Sequence, residues 1–485
     1  MYVISVIGTM EQEMELKTPL LVGRYKIFTN YTEVNDENIV NILTEAFAKH
    51  LENKAEEDYL FNYVRGFQPI LFRKKKIRPE INNKILENHA LSIVNFTAGY
   101  LLERPIQYVS SSRGENDEDM KILNGCLANE GKDSLDMKVA SDMATCGLGY
   151  KLVLPNKNFK KDFTNSPFKI YRIKPQDAFM VYTSDIGNEA LLGCVMAIVK
   201  DNAGKEHIKI QAYSNDKFYY FDLDSKVVEE TKDNPLGEIP LVEYEYCEQR
   251  LGAFEPVILM LDALNTIDSN AVDGIEQFIQ ALLVFKNVDI DKNQLTALLE
   301  MGAIKVKDNG ELQANVQYLT QELNQTQTQV LKSHLLNIIY KIVGMPVHRS
   351  GEGGDNGVAV LYKDGYTEVE ARTQKVELSF KGSERKFLNL LVMLLRIKTL
   401  QKVSLRGMDI DIKFTRRNFE NIYQKAQTLD LLLKNPKIHP RLAFVYSGLS
   451  ADADSDYQVS EEYYQEQLKL QTKVEEKQSE KLNQQ

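Results

Sequence analysis

Residues 254–283 read FEPVILMLDALNTIDSNAVDGIEQFIQALL, and residues 319–343 read LTQELNQTQTQVLKSHLLNIIYKIV. In the first stretch Val257, Leu261, Leu264, Ala271, Ile275, Phe278, Ile279 and Leu282 recur at helical spacing. Asp262, Asp268, Asp273, Glu276 and Gln280 fall on the other face, so an amphipathic helix is expected, a rod of about 45 Å. The second stretch predicts another helix, its first half rich in uncharged amides. Between them, 284–318 holds a strand candidate at Ala303–Val306 and a turn at Asp308–Gly310, too little for a core of its own. Two long helices carrying a small insert read as a stalk with a tip.

Working outward, the N-terminal side is helical first and extended later. Residues 1–34 read as an irregular arm. Ile39, Ile42, Leu43, Phe47 and Leu51 predict a helix from Asn35 to about Val64. A basic run, Arg73 to Lys76, reads as a solvated turn, since four charges make a weak nucleic-acid signal. Further helices are expected over 80–102, stopped by Pro105, and over 119–146, ended by Gly147 and Gly149. From Tyr150 to Tyr246, short apolar or alternating runs separated by turn residues predict an antiparallel meander. Strand and helix do not alternate there, which excludes a doubly wound nucleotide fold.

On the C-terminal side, residues 344–357 (GMPVHRSGEGGDNG) form a glycine-rich loop. A very long helix is expected from about Val358 to Leu400, and a strand over Asp409–Thr415. Helices follow at 421–434, 440–446 and about 456–482. The whole reads as an α+β scaffold of several regions.

The chain has 485 residues, a net charge of −10 and a pI near 5.4, which excludes a broad phosphate-gripping surface. Cys126, Cys146, Cys194 and Cys247 lie singly, with no zinc or redox spacing. The six histidines form neither HExxH nor HxH. The glycine-rich loop lacks the Lys-Ser or Lys-Thr of a phosphate loop, follows a helix rather than a strand, and carries Glu352 and Asp355. No catalytic residue, metal or cofactor is expected. The most apolar stretch, 388–397, is about half a membrane span, and the N-terminus lacks the basic-then-apolar pattern of a signal peptide. A soluble assembly subunit is therefore expected.

Three blocks carry a family resemblance. The first runs through Tyr63–Leu71, Asn82–Asn88 and Ile93–Leu102 to Pro105-Ile106. The second is Gly237–Tyr244 leading into Phe254-Glu255, and the third is Gly357–Lys363. In this order, with the helix–insert–helix–loop–long-helix run, the chain resembles the portal proteins of long-tailed double-stranded DNA bacteriophages infecting Gram-positive bacteria. The resemblance implies a ring of twelve subunits at one capsid vertex, with DNA passing through its channel non-specifically. It implies a wing over 35–253, stem helices at 254–283 and 319–343, and a small α/β clip at 284–318. A tunnel loop at 344–357, a long tunnel helix and strand over 358–419 and a helical crown over 420–485 complete it. The channel-facing residues would be Val347, His348, Arg349, Ser350, Gly351, Glu352, Gly353, Gly354, Asp355 and Asn356. Implied partners are other copies of the chain, the terminase large subunit, a head-completion adaptor, and major capsid and scaffolding proteins; no membrane is implied. The place would be the virion, after synthesis in the host cytoplasm. Residues 254–343 hold eleven acidic against six basic residues, so a stem with carboxylates facing DNA would favour sliding over capture. Another ring-forming connector or minor capsid protein without a DNA channel is the other assembly reading. A DNA-processing enzyme would need a metal or nucleotide site.

Overall fold

The computed structural model describes residues 23–110, 117–160, 165–200, 204, 206–279, 282–286, 315–319, 325–346, 355–398, 403–415, 422–449 and 453–482. The chain opens with β1 (Ile27–Thr29) and α1 (Ile39–Val64), then α2 (His89–Leu101), β2 (Gln107–Ser110), α3 (Asp117–Asn129) and α4 (Lys132–Cys146). Strands follow: β3 (Leu148–Pro155), β4 (Phe168–Ile173), β5 (Ala178–Thr183), β6 (Ala190–Lys200), β7 (Glu206–Tyr213), β8 (Lys217–Asp222), β9 (Val227–Asp233) and β10 (Leu241–Glu245). Next come α5 (Ile258–Ile279), β11 (Leu282–Lys286), β12 (Asn315–Leu319), α6 (Gln325–Val343) and α7 (Asp355–Lys398). The chain ends with β13 (Ile410–Lys413), α8 (Ile422–Leu433), α9 (Pro440–Ser447) and α10 (Ala453–Leu482). The α+β class holds.

The expected meander is present as β5 to β9, each antiparallel to the next. The expected single meander divides, however: β3 and β4 join β10 in a separate three-stranded sheet. Nor is the arm wholly irregular, because β1 pairs parallel with β5 at the edge of the larger sheet, Ile27 opposite Val181. The face of that sheet made by Phe179, Val181, Leu192, Ile210 and Tyr219 is closed by Ile39, Ile42, Leu43 and Ala46 of α1. A second core gathers Leu60, Tyr63, Ile93, Tyr150 and Leu241 around Phe254, Val257, Leu261 and Leu264 at the start of α5. The third lies along the C-terminal half of α7, where Phe380, Phe387, Leu391 and Leu394 meet α3, α4 and the β2–β13 pair.

Four expected helices change. The helix over 119–146 is two, since Gly131 adopts a left-handed φ of +64° between α3 and α4. The helix over 80–102 begins only at His89, where the Asn88 side chain accepts the N–H of Leu91. The helix over 254–283 ends at Ile279, and 282–286 instead forms β11. The helix over 319–343 starts at Gln325, because Leu319 is taken into β12 opposite Leu282. The β11–β12 ladder satisfies backbone groups that an extended helix pair would leave to water at its tip. Among the described residues no helix is long and apolar enough to cross a membrane.

One buried acid in this frame titrates unusually. Glu57 of α1 is fully buried; burial, set against Arg24 and Lys54 and helped by Asp58 and Glu243, pushes its pKa up to about 8. Its ordinary value is 4.5. Below that pH both folded and unfolded forms are protonated, and from there to about 8 the folded state loses stability as pH rises. Glu57→Gln is therefore expected to melt progressively above wild type from pH 5 to pH 8, read by thermal unfolding across pH. A constant offset would contradict the buried-acid assignment.

Candidate functional site

The helix pair α5–α6 with its tip hairpin is the feature the sequence singled out. Residues 81–88 lie extended along α5. The N–H groups of Asn83, Ile85 and Glu87 donate to Asp273 Oδ1, Ser269 Oγ and Asn265 Oδ1 at 2.7, 2.9 and 2.9 Å. Four helical residues rise about 6 Å and two extended residues about 6.6 Å, so the two repeats keep step. This side-chain ladder is why the segment is not the expected helix: its amides find acceptors on α5 instead of four residues back. Gln68 extends the network, accepting from Asn265 Nδ2 at 2.7 Å.

The carboxylates of α5, expected to face DNA, are engaged within the chain. Asp262 accepts the Tyr63 hydroxyl at 2.8 Å. Lys332 of α6 joins Asp268 at 2.9 Å and Glu87 at 2.6 Å. Asp273 meets Arg73 at 3.1 Å and Lys75 at 2.9 Å, and Glu276 accepts from Asn83 Nδ2 at 2.7 Å. Against the cost of burial, bonds from Lys75 and Asn83 hold the Asp273 carboxyl below the usual carboxylate range. The basic run is thus only half a solvated turn: Arg73 and Lys75 clasp α5, while Lys74 and Lys76 are exposed. Among the exposed residues of this helix pair are apolar side chains beside polar ones. Val272 and Ile275 share one face of α5, and Leu331 and Ile342 share one face of α6; all four are exposed.

A buried ion cluster fixes the long helix α7 to the sheets. Glu384 accepts four donors: the hydroxyls of Tyr108 and Tyr244, each at 2.8 Å, Lys132 at 2.8 Å and Lys151 at 2.9 Å. Asp136 pairs with both lysines, closing a neutral square of two cations and two anions. The Lys151 ammonium also lies over the rings of Tyr244, Phe387 and Phe380. Burial would raise the Glu384 pKa, but Lys132 and Lys151 together pull it down to about 2. Burial, then Glu384 and Asp136, push both tyrosines well up. Sequence reading missed this cluster; its one signal was a lone lysine, Lys151, inside the apolar strand 150–154.

Val347 to Gly354 lie outside the described residues. Asp355 and Asn356, expected in the loop, lie in the first turn of α7. At the other end of the loop, Gly344 closes α6. Among the described residues one triad approaches metal-ligand spacing, His207, Asp222 and Asp224 on the larger sheet. Hydrogen bonds within that hairpin account for it: His207 lies 3.0 Å from Asp224, and Asp222 accepts the N–H of Ser225.

No curated protein matches the chain. Among solved structures it is similar to a chain in the neck of an empty gene transfer agent (GTA) particle computed with C6 symmetry. That match has a TM-score of 0.43 and 12% identity, and covers 74% of this chain and 90% of that one. A chain from the virion of a native GTA particle gives a TM-score of 0.41 and 11% identity, with 81% and 94% covered. One from the native GTA neck computed with C12 symmetry gives 0.42 and 11%, with 74% and 89% covered. Residues 43–445 match the family described as "Phage portal protein, SPP1 Gp6-like". The chain therefore belongs to the phage portal family, and is a ring-forming structural component of a virion rather than an enzyme.

Proposed function

We propose that twelve copies of the chain close a ring at one capsid vertex of a long-tailed phage infecting a Gram-positive host. Double-stranded DNA passes through its channel non-specifically during packaging and ejection. The observation that supports this most is the α5–α6 pair. Asp268 and Asp273 are paired with cations of the same subunit, while Val272, Ile275, Leu331 and Ile342 stay exposed, as a helix pair completed by neighbouring copies requires. In this reading 35–253 is the wing, α5 and α6 the stem, 284–318 the clip and α8 to α10 the crown. The clip docks the terminase large subunit and later the head-completion adaptor, and the rest of the ring meets the major capsid and scaffolding proteins.

The engaged carboxylates change one part of the mechanism. Asp268 and Asp273 are paired with Lys332, Arg73 and Lys75, so they contribute little free negative charge toward DNA. Weak wetting of the phosphates falls instead to the segment from Val347 to Asn356. With His348 neutral, Arg349 stands against Glu352 and Asp355 and the segment is mildly acidic; protonation of His348 brings its formal charge to zero. Cross-linking Ser350→Cys between neighbouring subunits, in a background without the native cysteines, is expected to block packaging while rings and motor docking persist. Packaging at the normal rate with the loops cross-linked would remove this loop from translocation. A connector without a DNA channel would form similar rings that never pass DNA.

A further inference from the structure

The C-terminal end of α6 leaves four carbonyl oxygens without partners inside the helix, those of Tyr340, Lys341, Ile342 and Val343. Three of them are accounted for. Tyr340 accepts the N–H of Met345 at 2.8 Å, across Gly344 in a left-handed conformation with φ +72°. Lys341 and Ile342 accept from the guanidinium of Arg372, thirty residues further on and in a different helix, α7; the bond to Lys341 is 3.0 Å. The fit is close on both sides. A Cβ at position 344 would stand 2.5 Å from Arg372 Cδ, so a side chain there would have to displace Arg372 in addition to bearing the strain of a positive φ. Just before Arg372, Glu370 accepts the Tyr100 hydroxyl of α2 at 3.0 Å, and Val369 is buried.

A helix capped by its own chain keeps its end whatever its neighbours do. Here two of the four acceptors depend on α7, and the planar fork of arginine fixes distance and direction together. Its positive charge also lies at the negative end of α6. We propose that Arg372 is a positioning residue for DNA passage: it fastens the end of α6 to α7, so a displacement of either helix is delivered to the other. This rests on the portal reading.

The test uses rings of the full-length chain carrying Arg372→Ala, Arg372→Lys or Gly344→Ala. Ring formation is imaged, amide hydrogen exchange is followed over 340–345 and 369–376, and packaging of linear duplex DNA is timed with the motor present. Arg372→Ala is expected to assemble, to exchange faster in both segments, and to package roughly tenfold more slowly. Arg372→Lys is expected to recover part of the rate, since a lysine cannot fork, and Gly344→Ala to resemble Arg372→Ala by displacing the guanidinium. A residue that only stabilised the fold would lower melting and ring yield without this split. Wild-type exchange and packaging in Arg372→Ala rings would overturn the proposal. If that variant does not assemble, wild-type packaging by Arg372→Lys rings would overturn it equally. Wild-type rings that pass no DNA would instead sink the portal reading, and the exchange arm would still decide whether Arg372 couples the two helices.

Discussion

Glu384→Ala is expected to destabilise the folded chain by about 3–5 kcal/mol, because it leaves Lys132 and Lys151 buried against a single carboxylate. Two tyrosine hydroxyls, Tyr108 and Tyr244, lose their acceptor at the same time. The cluster ties α7 to α4, β2, β3 and β10 at once, so the loss falls on the joint between the long helix and the sheets. Chemical denaturation of the purified protein reads the difference, and a change below about 1 kcal/mol would show that the cluster behaves like a surface ion pair. The pH dependence has a definite sign. The Glu384 pKa is depressed from 4.5 to about 2, so its contribution is fully present above pH 4.5 and is lost as pH falls through 2. The cluster therefore holds through mild acid, where the buried Glu57 costs least.

The second large effect concerns assembly. Ile275→Asp combined with Leu331→Asp places a charge on each exposed face of the helix pair. Each side chain buried at an interface contributes about 1.5–3 kcal/mol, and a ring repeats the contact at every subunit boundary. The double variant is expected to stay folded, with the circular dichroism and melting of wild type, yet to sediment as monomer or short open oligomers. Closed rings at wild-type yield would place the subunit contacts elsewhere.

How much of this was legible in the sequence depended on where each segment finds its partners. α1, α5 and α7 carry their apolar periodicity in their own residues, and they appear nearly where expected. The strands β5 to β9 pair with their sequence neighbours, so local alternation and turns sufficed. Residues 81–88 misled because their hydrogen-bond acceptors, Asn265, Ser269 and Asp273, lie some 180 residues away. The same holds for β1 against β5 and for β2 against β13, pairings that no local pattern announces. The carboxylates of α5 looked free because Arg73, Lys75 and Lys332 come from other parts of the chain. Glu384 was one acid among many in an acidic protein until the fold brought two lysines to it. The candidate loop was legible by its glycines, yet of the residues expected to face the channel only Asp355 and Asn356 fall within the described structure, and they belong to α7.

The central claim is a closed ring with a passage for DNA. The most direct measurement is electron microscopy of the purified full-length chain, alone and co-expressed with its assembly partners, with symmetry determined from end-on views. The account expects closed rings, twelvefold in the capsid, whose central channel admits a DNA duplex and is bounded by α5, α6 and the segment joining α6 to α7. Protein that remains monomeric under both conditions, or rings whose centre is too narrow for a duplex, would contradict it.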